Sequence, residues 1–186
     1  VEWASGNFDL IFSIHCKQIF PKDLVDRVKC VNFHPGYNPH NRGWFPQVFS
    51  IINDKPVGVT VHLMDPEVDH GEIITQTAVV IEEWETSLDV YKKVIAKEIE
   101  LIKTFIPTIV EGNLQTTPPI DEGNYNSITD FKSLCELNLE NVGTLGEHIK
   151  LLRALSHGDF HNAYFHSKNG EKISISVTLT KLTDDN

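Results

Sequence analysis

Apolar residues along this chain follow two patterns, which separate the predicted strands from the predicted helices. Leu10–Ile14 and residues 30–34 are short apolar runs rich in β-forming residues, which is typical of buried strands. In Val57–Leu63 apolar residues alternate with small or polar ones, and residues 73–81 are again rich in β-forming residues. We therefore predict four strands in the first half of the chain.

The clearest helix occupies the middle of the chain. Thr86 or Ser87 can cap its start and Gly112 can end it, and Pro107 is expected to bend or weaken its last turn. Between these limits the apolar residues recur three or four positions apart on one face: Tyr91, Ile95, Ile99, Ile102, Ile106 and Ile109.

Shorter helical segments separate the strands. Residues 44–52 carry apolar side chains at helical spacing, and residues 21–28 have the pattern of a short helix or turn. Strands and helices in alternation predict an α/β fold with a Rossmann-like, mainly parallel sheet and flanking helices.

The C-terminal part of the chain has a different pattern. Leu145–Leu155 predicts a helix, and residues 162–166 and 173–179 flank an Asn-Gly pair, which is a strong signal for a β-hairpin. A hairpin of this size is marginal alone, so its apolar face needs a partner surface on the same domain or on a second subunit. We therefore divide the chain into residues 1–128 and a C-terminal helix and hairpin in residues 129–186.

Charge and composition exclude several classes of partner. The formal net charge of −10 argues against tRNA or DNA, because proteins that bind nucleic acid over a wide surface usually have a basic face. No apolar run is long enough to cross a bilayer and no signal segment opens the chain, so we expect a cytoplasmic protein without membrane contact. The three cysteines, Cys16, Cys30 and Cys135, form no CxxC pair, which favours reduced thiols over disulfides or zinc.

Candidate chemistry lies at the end of the second predicted strand. Asn32 and His34 are two positions apart, so their side chains point to the same face, and Pro35 ends the strand just after them. Asp69 lies in the polar loop that follows Val57–Leu63 and reaches the same edge if the two strands are neighbours.

An amide, an imidazole and a carboxylate at one point suit acyl transfer to an amine. Asn32 can donate a hydrogen bond to the tetrahedral oxyanion, His34 can act as acid or base, and Asp69 can orient the imidazole and relay protons. Taken singly, each residue is explained as well by a structural role, such as a satisfied buried histidine or a turn-forming aspartate. The catalytic hypothesis depends on the three segments being read together.

Three segments together resemble the formyltransferases that use 10-formyltetrahydrofolate. Residues 31–43 (VNFHPGYNPHNRG) are followed by WFPQVFS and then by VTVHLMDPEVDHGEIITQ. The family's hallmark is an Asn-x-His-Pro strand end, a glycine-bearing loop and an Asp-x-Gly loop. By this resemblance Asn32, His34 and Asp69 are the catalytic residues, and 10-formyltetrahydrofolate is the cosubstrate.

The pattern NRGWFP at residues 41–46, together with the tail from residue 152 to 165, is similar to the sugar-nucleotide N-formyltransferases. That resemblance implies an amino sugar linked to a nucleotide as the acceptor, with dTDP-4-amino-4,6-dideoxyglucose as the expected sugar, and a role in surface-polysaccharide synthesis. A homodimer is implied by the same analogy. The open alternatives are a purine-pathway or methionyl-tRNA formyltransferase and a catalytically silent domain that binds folate or sugar nucleotide.

The resemblance also implies binding residues. Backbone groups of the loops after the first and third strands are expected to hold the pterin, at Cys16, Lys17, Ile19, Pro66, Val68 and Asp69. The nucleotide sugar is expected to contact Tyr37, Asn41, Arg42, Trp44, Asn162 and Tyr164. Without the resemblance, a pyrophosphate contact and a surface salt bridge explain Arg42 equally well.

Two further expectations concern metals and the N-terminal end. His15, His40 and His70 lie scattered in loops and share no recognised ligand spacing with His34, so we expect no metal site. Members of the resembling family carry a strand–helix–strand unit before the segment that matches Leu10–Ile14. We expect that unit to be missing from residues 1–128.

Overall fold

The computed structural model describes residues 1–182. In this range the helices are α1 (Glu2–Asn7), α2 (Lys22–Val25), α3 (Pro46–Asn53), α4 (Ser87–Val110), α5 (Ile128–Cys135) and α6 (Leu145–Leu155). The longer strands are β1 (Leu10–Ile14), β2 (Lys29–His34), β4 (Val57–Leu63) and β5 (Ile73–Val79). The short strands are β3 (Arg42–Gly43), β6 (Tyr125–Asn126), β7 (Ser156–His157), β8 (Phe160–His161), β9 (Tyr164–His166) and β10 (Lys172–Ser174).

The central sheet has the order β1-β2-β4-β5 and is mixed. β1 and β2 are parallel, whereas β2 pairs with β4 and β4 with β5 in antiparallel fashion. The α/β fold with flanking helices is confirmed, but the expectation of a mainly parallel sheet is corrected by these pairings. The loop of residues 64–72 between β4 and β5 is too short for a crossover helix, which a parallel connection would need.

The two faces of β2 pack against different layers. Val31 and Phe33 are fully buried in the main core, together with residues of β4, α3 and α4. Cys30, on the opposite face, packs in a smaller cluster with Leu24 and Val28 from the α2 region. Because side chains alternate along a strand, Asn32 and His34 share the face of Cys30, away from the main core.

Helix α4 forms where its apolar period predicts. Thr86 is its N-cap in a capping box with Asp89, whose carboxylate accepts a hydrogen bond from the Thr86 amide at 3.0 Å. The helix runs on through Pro107 to Val110, and Gly112 follows with a φ of 80°. Val90 and Val94 pack on the sheet with exposures of 0% and 1%, so α4 covers the main core.

The C-terminal helix coincides with its predicted bounds, and the hairpin forms from β9 and β10 around Gly170. Its paired strands are shorter than predicted, although the Ile175 amide donates to the Ala163 carbonyl and continues the same register. The Ile175 side chain packs against the main core. Part of the predicted apolar face therefore packs on the chain itself, whereas Ile173 stays 40% exposed. Residues 183–186, the end of the predicted subdomain, lie outside the described residues.

Helix α5 was not predicted. Its start carries a clear local signal, because Ser127 and Asp130 form a capping box. In the described part of the chain, no helix combines the length and apolar character needed to cross a membrane.

Candidate active site

Strand β2 and the loop of residues 64–72 bring the three predicted catalytic side chains together. The Asn32 side-chain amide donates to Asp69 Oδ1 at 2.9 Å, and His34 Nδ1 lies 3.5 Å from the same oxygen. The predicted convergence of amide, imidazole and carboxylate is therefore present in the structure. Their catalytic roles are taken up as a proposal below.

The Asp69 carboxylate is held in place from several sides. Its backbone adopts a left-handed conformation with a φ of 51°, and its carbonyl accepts a hydrogen bond from the Asn38 side chain at 2.8 Å. The Gly43 amide donates to Asp69 Oδ2 at 3.1 Å. Asn32 and Gly43 thus each satisfy one carboxylate oxygen, which fixes the direction of the group.

The loop that carries Asp69 lies close against the end of β4. A Cβ atom at Gly71 would lie 1.9 Å from the Leu63 carbonyl oxygen, so any side chain at that position would push the loop outward. The glycine of the Asp-x-Gly pattern therefore allows the loop to fold back over β2.

The two titratable groups of the site have pKa values displaced in different ways. Burial lowers the pKa of His34 below its ordinary value of 6.5, although the negative charge of Asp69 partly opposes this effect. Burial would raise the pKa of Asp69, but His34, His62 and the Gly43 amide outweigh it and set that pKa at about 2. At neutral pH the site thus holds an ionised carboxylate beside a neutral imidazole.

One nitrogen of His34 has no partner. Nε2 is buried and forms no hydrogen bond with any of the described residues, while Nδ1 faces Asp69. A buried polar atom without a partner is costly unless a ligand satisfies it. The ring also lines the open cleft, so Nε2 is a candidate contact for a reacting group.

His62 belongs to the site and was missed by the sequence analysis. It lies opposite Asn32 in the β2–β4 register, is 1% exposed, and has Nε2 3.3 Å from the Asn32 side-chain nitrogen. Its Nδ1 donates to the Leu63 carbonyl at 2.8 Å, which leaves Nε2 as an acceptor for Asn32. A histidine in a buried strand was the available signal, but its partner depends on a strand register that the sequence does not display.

Four segments of the chain, within residues 13–20, 32–35, 43–47 and 64–69, line the cleft beside these residues, together with the single residues Tyr91 and Tyr125. Of the predicted contacts, those that line it are Cys16, Lys17, Ile19, Trp44, Val68 and Asp69. Those that do not are Tyr37, Asn41, Arg42, Pro66, Asn162 and Tyr164. The cleft is also lined by aromatic residues that the sequence analysis did not assign: Phe20, Phe33, Phe45, Tyr91 and Tyr125.

Asn41, which was expected to contact the sugar, is surrounded by other parts of the chain. Asn41 is 0% exposed, and its side-chain nitrogen donates to Ser50 at 3.0 Å and to Asn53 at 3.2 Å. Its side-chain oxygen accepts from Asn53 and Asn124 at 2.8 Å each. Both polar atoms of the Asn41 side chain therefore have protein partners, which tie the loop after β2 to α3 and to the segment before β6.

Arg42 likewise binds protein groups. Its guanidinium donates to the carbonyls of Val68 and Glu122, both at 3.2 Å, and the side chain is 9% exposed. Arg42 therefore supports the loop next to Asp69 with two of its guanidinium nitrogens, and the pyrophosphate contact expected of it stays a prediction.

The two predicted contacts in the C-terminal part lie on or beside the hairpin. Asn162 donates to the Leu155 carbonyl at 3.0 Å. Tyr164 donates its hydroxyl hydrogen to Glu136 at 3.3 Å, and Lys172 lies 3.5 Å from the centre of its ring. These contacts hold the hairpin, and neither residue faces the cleft.

Comparison with known proteins places this geometry in a family. Residues 2–106 match the model described as formyl transferase, and residues 130–181 match the N-formyltransferase dimerization C-terminal domain. A dTDP-4-amino-4,6-dideoxyglucose formyltransferase of Mycobacterium tuberculosis is 48% identical over 172 residues, which are 92% of this chain and 74% of that protein.

Two solved structures show the same relationship. A sugar N-formyltransferase from Shewanella sp. superimposes with a TM-score of 0.94 at 54% identity, covering 96% of this chain and 73% of that one. The formyltransferase PseJ from Anoxybacillus kamchatkensis, in complex with UDP-4,6-dideoxy-4-formamido-L-AltNAc and tetrahydrofolate, has a TM-score of 0.64 at 31% identity, covering 68% of each chain. The chain therefore belongs to the formyl transferase family, and it is a formyltransferase that carries the N-formyltransferase dimerization domain in its C-terminal part.

Proposed function

We propose that the protein transfers the formyl group of 10-formyltetrahydrofolate to the 4-amine of a nucleotide-linked amino sugar, dTDP-4-amino-4,6-dideoxyglucose. The observation that carries this proposal is the convergence of Asn32, His34 and Asp69 on one side of an open cleft. The names of the M. tuberculosis relative and of the bound PseJ structure support a 4-amino sugar as acceptor and folate as carrier.

The cleft offers groups that fit a folate. The backbone amides of residues 16–19 bond to no other backbone group among the described residues, and this segment lines the cleft. Free amides can bind the polar edge of a pterin, as the predicted contacts at Cys16, Lys17 and Ile19 require. Val68 and Asp69 also line the cleft, whereas Pro66 lies outside the lining.

His34 acts as the base in this proposal. Its lowered pKa keeps the imidazole neutral at physiological pH, and Nε2 is free to take a proton from the attacking amine. As the new C–N bond forms and the bond to N10 of the carrier breaks, the same proton is passed to N10. Asp69, ionised throughout, stabilises the imidazolium that forms in between.

Asn32 stabilises the developing oxyanion after a small change of partners. Its side-chain nitrogen bonds to Asp69 at 2.9 Å and makes a longer contact of 3.3 Å to His62. An oxyanion is a stronger acceptor than a neutral imidazole nitrogen, so the hydrogen now directed at His62 is the one that can turn to the substrate.

The test is to replace Asn32, His34 and Asp69 singly with Ala and to follow formyl transfer to dTDP-4-amino-4,6-dideoxyglucose by mass spectrometry. We expect kcat to fall by about 100-fold or more in each variant. Full activity in all three variants would defeat the assignment. Parallel assays with glycinamide ribonucleotide and methionyl-tRNA test the other acceptors, and turnover of either one without turnover of the sugar nucleotide would replace the proposed substrate.

The C-terminal part is proposed to form a homodimer. The match to a dimerization domain over residues 130–181 supports this, as does the exposure of Ile173 and Leu145 at 40% and 75%. Sedimentation analysis should give twice the chain mass, and Ile173→Lys should shift the protein toward monomer. A wild-type protein that sediments as a monomer at micromolar concentration would contradict the proposal.

The division at residues 128 and 129, the cytoplasmic setting and a role in O-antigen or other lipopolysaccharide synthesis stay predictions. The role in polysaccharide synthesis follows from the amino sugar acceptor, since formylated deoxysugars of this kind are expected in surface polysaccharides.

A further inference from the structure

A second polar pair lies in the wall of the same cleft. His15 directly follows β1 and has a left-handed backbone with a φ of 51°. Its Nε2 is hydrogen-bonded to Glu98 Oε2 on α4. The proposed chemistry uses neither residue.

Glu98 is costly to keep in this position. It is 1% exposed, His15 is its one hydrogen-bond partner within residues 1–182, and Oε1 has none. Burial raises the pKa of Glu98, against the opposing effect of His15. An isolated buried carboxylate is strongly unfavourable, so the pair is expected to keep one proton between its two members.

That shared proton determines what the other side of the imidazole can do. A neutral ring with its one hydrogen on Nε2, facing an ionised Glu98, would leave a net negative charge buried, and Glu98 has no other partner within residues 1–182 to offset it. In the pair without net charge, the shared proton can sit on Nε2 of an imidazolium, whose Nδ1 also carries a hydrogen. If it sits on Glu98, Nε2 is an acceptor and the neutral ring carries its hydrogen on Nδ1. In both states His15 presents an N–H donor at Nδ1, and the pair has no net charge.

The free donor belongs to the cleft. Nδ1 of His15 has no hydrogen-bond partner among residues 1–182, and the ring lines the cleft together with Asn32, His34 and Asp69. Tyr91 lies two helical turns before Glu98, and its ring centre is 6.5 Å from that of His15 in an edge-on contact. Glu98 and Tyr91 thus hold the imidazole at the cleft wall from one face of α4.

We propose that His15, positioned by Glu98, donates a hydrogen bond from Nδ1 to an oxygen atom of a ligand in the cleft. This inference rests on the proposed function, which supplies two sources of such an oxygen. One is a phosphate of the sugar nucleotide, and the other is a carbonyl or carboxylate of the folate.

Two substitutions of His15 test separately the N–H donor at Nδ1 and the hydrogen bond to Glu98. His15→Asn retains an N–H near the position of Nδ1, cannot reach Glu98, and suits a left-handed backbone. His15→Gln reaches the position of Nε2 and can bond to Glu98, but it has no donor near Nδ1. We expect His15→Gln to raise the KM and the Kd of one ligand by about tenfold, and His15→Asn to stay near the wild-type values.

Calorimetry with dTDP and with tetrahydrofolate identifies which ligand is contacted. A loss confined to dTDP assigns the phosphate, and a loss confined to tetrahydrofolate assigns the folate. Since His15→Asn leaves Glu98 unpaired, the double variant with Glu98→Leu removes the buried carboxyl and is measured beside it. Thermal unfolding of each variant checks that the variant is folded at the temperature of the binding measurements.

The outcomes are distinct. Equal binding of both ligands by His15→Gln and wild type overturns the inference and leaves the pair as a structural tie. The inference is also overturned if His15→Gln loses as much ligand affinity as the folded His15→Asn variants, with and without Glu98→Leu. The ligand would then not contact the donor at Nδ1. Wild-type protein that binds neither ligand would defeat the proposed function itself.

Discussion

Gly36 lies so close to His34 that a Cβ atom at position 36 would be 2.2 Å from Nε2 of the imidazole. The glycine thus clears the space beside the one nitrogen of the site that has no partner. Its φ is not in the left-handed region, so the requirement is for space and not for backbone freedom.

Gly36→Ala is therefore expected to displace the His34 ring and to lower kcat by about 100-fold, because small misplacements of a reacting group are costly. The matched control is Gly6→Ala in α1, where an added Cβ meets nothing within 4 Å. Steady-state assays of both variants check this. Wild-type kcat in Gly36→Ala would show that the ring has room to move without loss.

The acid limb of the pH profile should report His34. Because burial lowers its pKa below 6.5, the neutral base persists to lower pH than an ordinary histidine, and kcat/KM should fall only below that value. Asp69 raises the pKa of His34, so Asp69→Asn should lower the rate and move the limb further down. Profiles measured from about pH 5 to 8 decide this, and a limb that moves upward in Asp69→Asn would contradict the assignment.

Thr60 holds the turn that contains Gly36. Its hydroxyl donates to the Gly36 carbonyl at 2.9 Å and accepts from the Asn38 amide at 3.0 Å. Thr60→Val keeps the shape but leaves both backbone groups unpaired, so we expect a loss of about 1–3 kcal/mol in the free energy of unfolding, together with lower kcat. Thr77→Val on β5 is the control, since that hydroxyl has no hydrogen bond in the described structure, and urea unfolding should show little change.

Asn41 should prove structural. Its side chain is hydrogen-bonded to those of Ser50, Asn53, Asn124 and Asn126, so Asn41→Ala is expected to cost about 2–4 kcal/mol of unfolding free energy. The KM for the sugar nucleotide, measured on the folded protein, should stay near wild type. Asn113→Ala at an exposed position serves as the control. An unchanged stability with a raised KM would restore the sugar contact that the sequence suggested.

Local patterns along the chain were sufficient for much of the fold and for part of the site. The bounds of β1, β4 and α6 coincide with the predicted ones, because alternation and helical spacing depend on neighbours a few residues apart. The Asn-x-His-Pro strand end and the Asp-x-Gly loop identified Asn32, His34 and Asp69 as residues to bring together.

Tertiary structure alone decided how the segments meet. The antiparallel register of β4 against β2 places His62 opposite Asn32, and the buried side chains of Asn41 and Arg42 find partners within the chain. The pairing of His15 with Glu98 joins positions 83 residues apart. These contacts join residues that are far apart in the sequence, and they form only when the whole core packs and excludes water. No single stretch of the sequence contains that information.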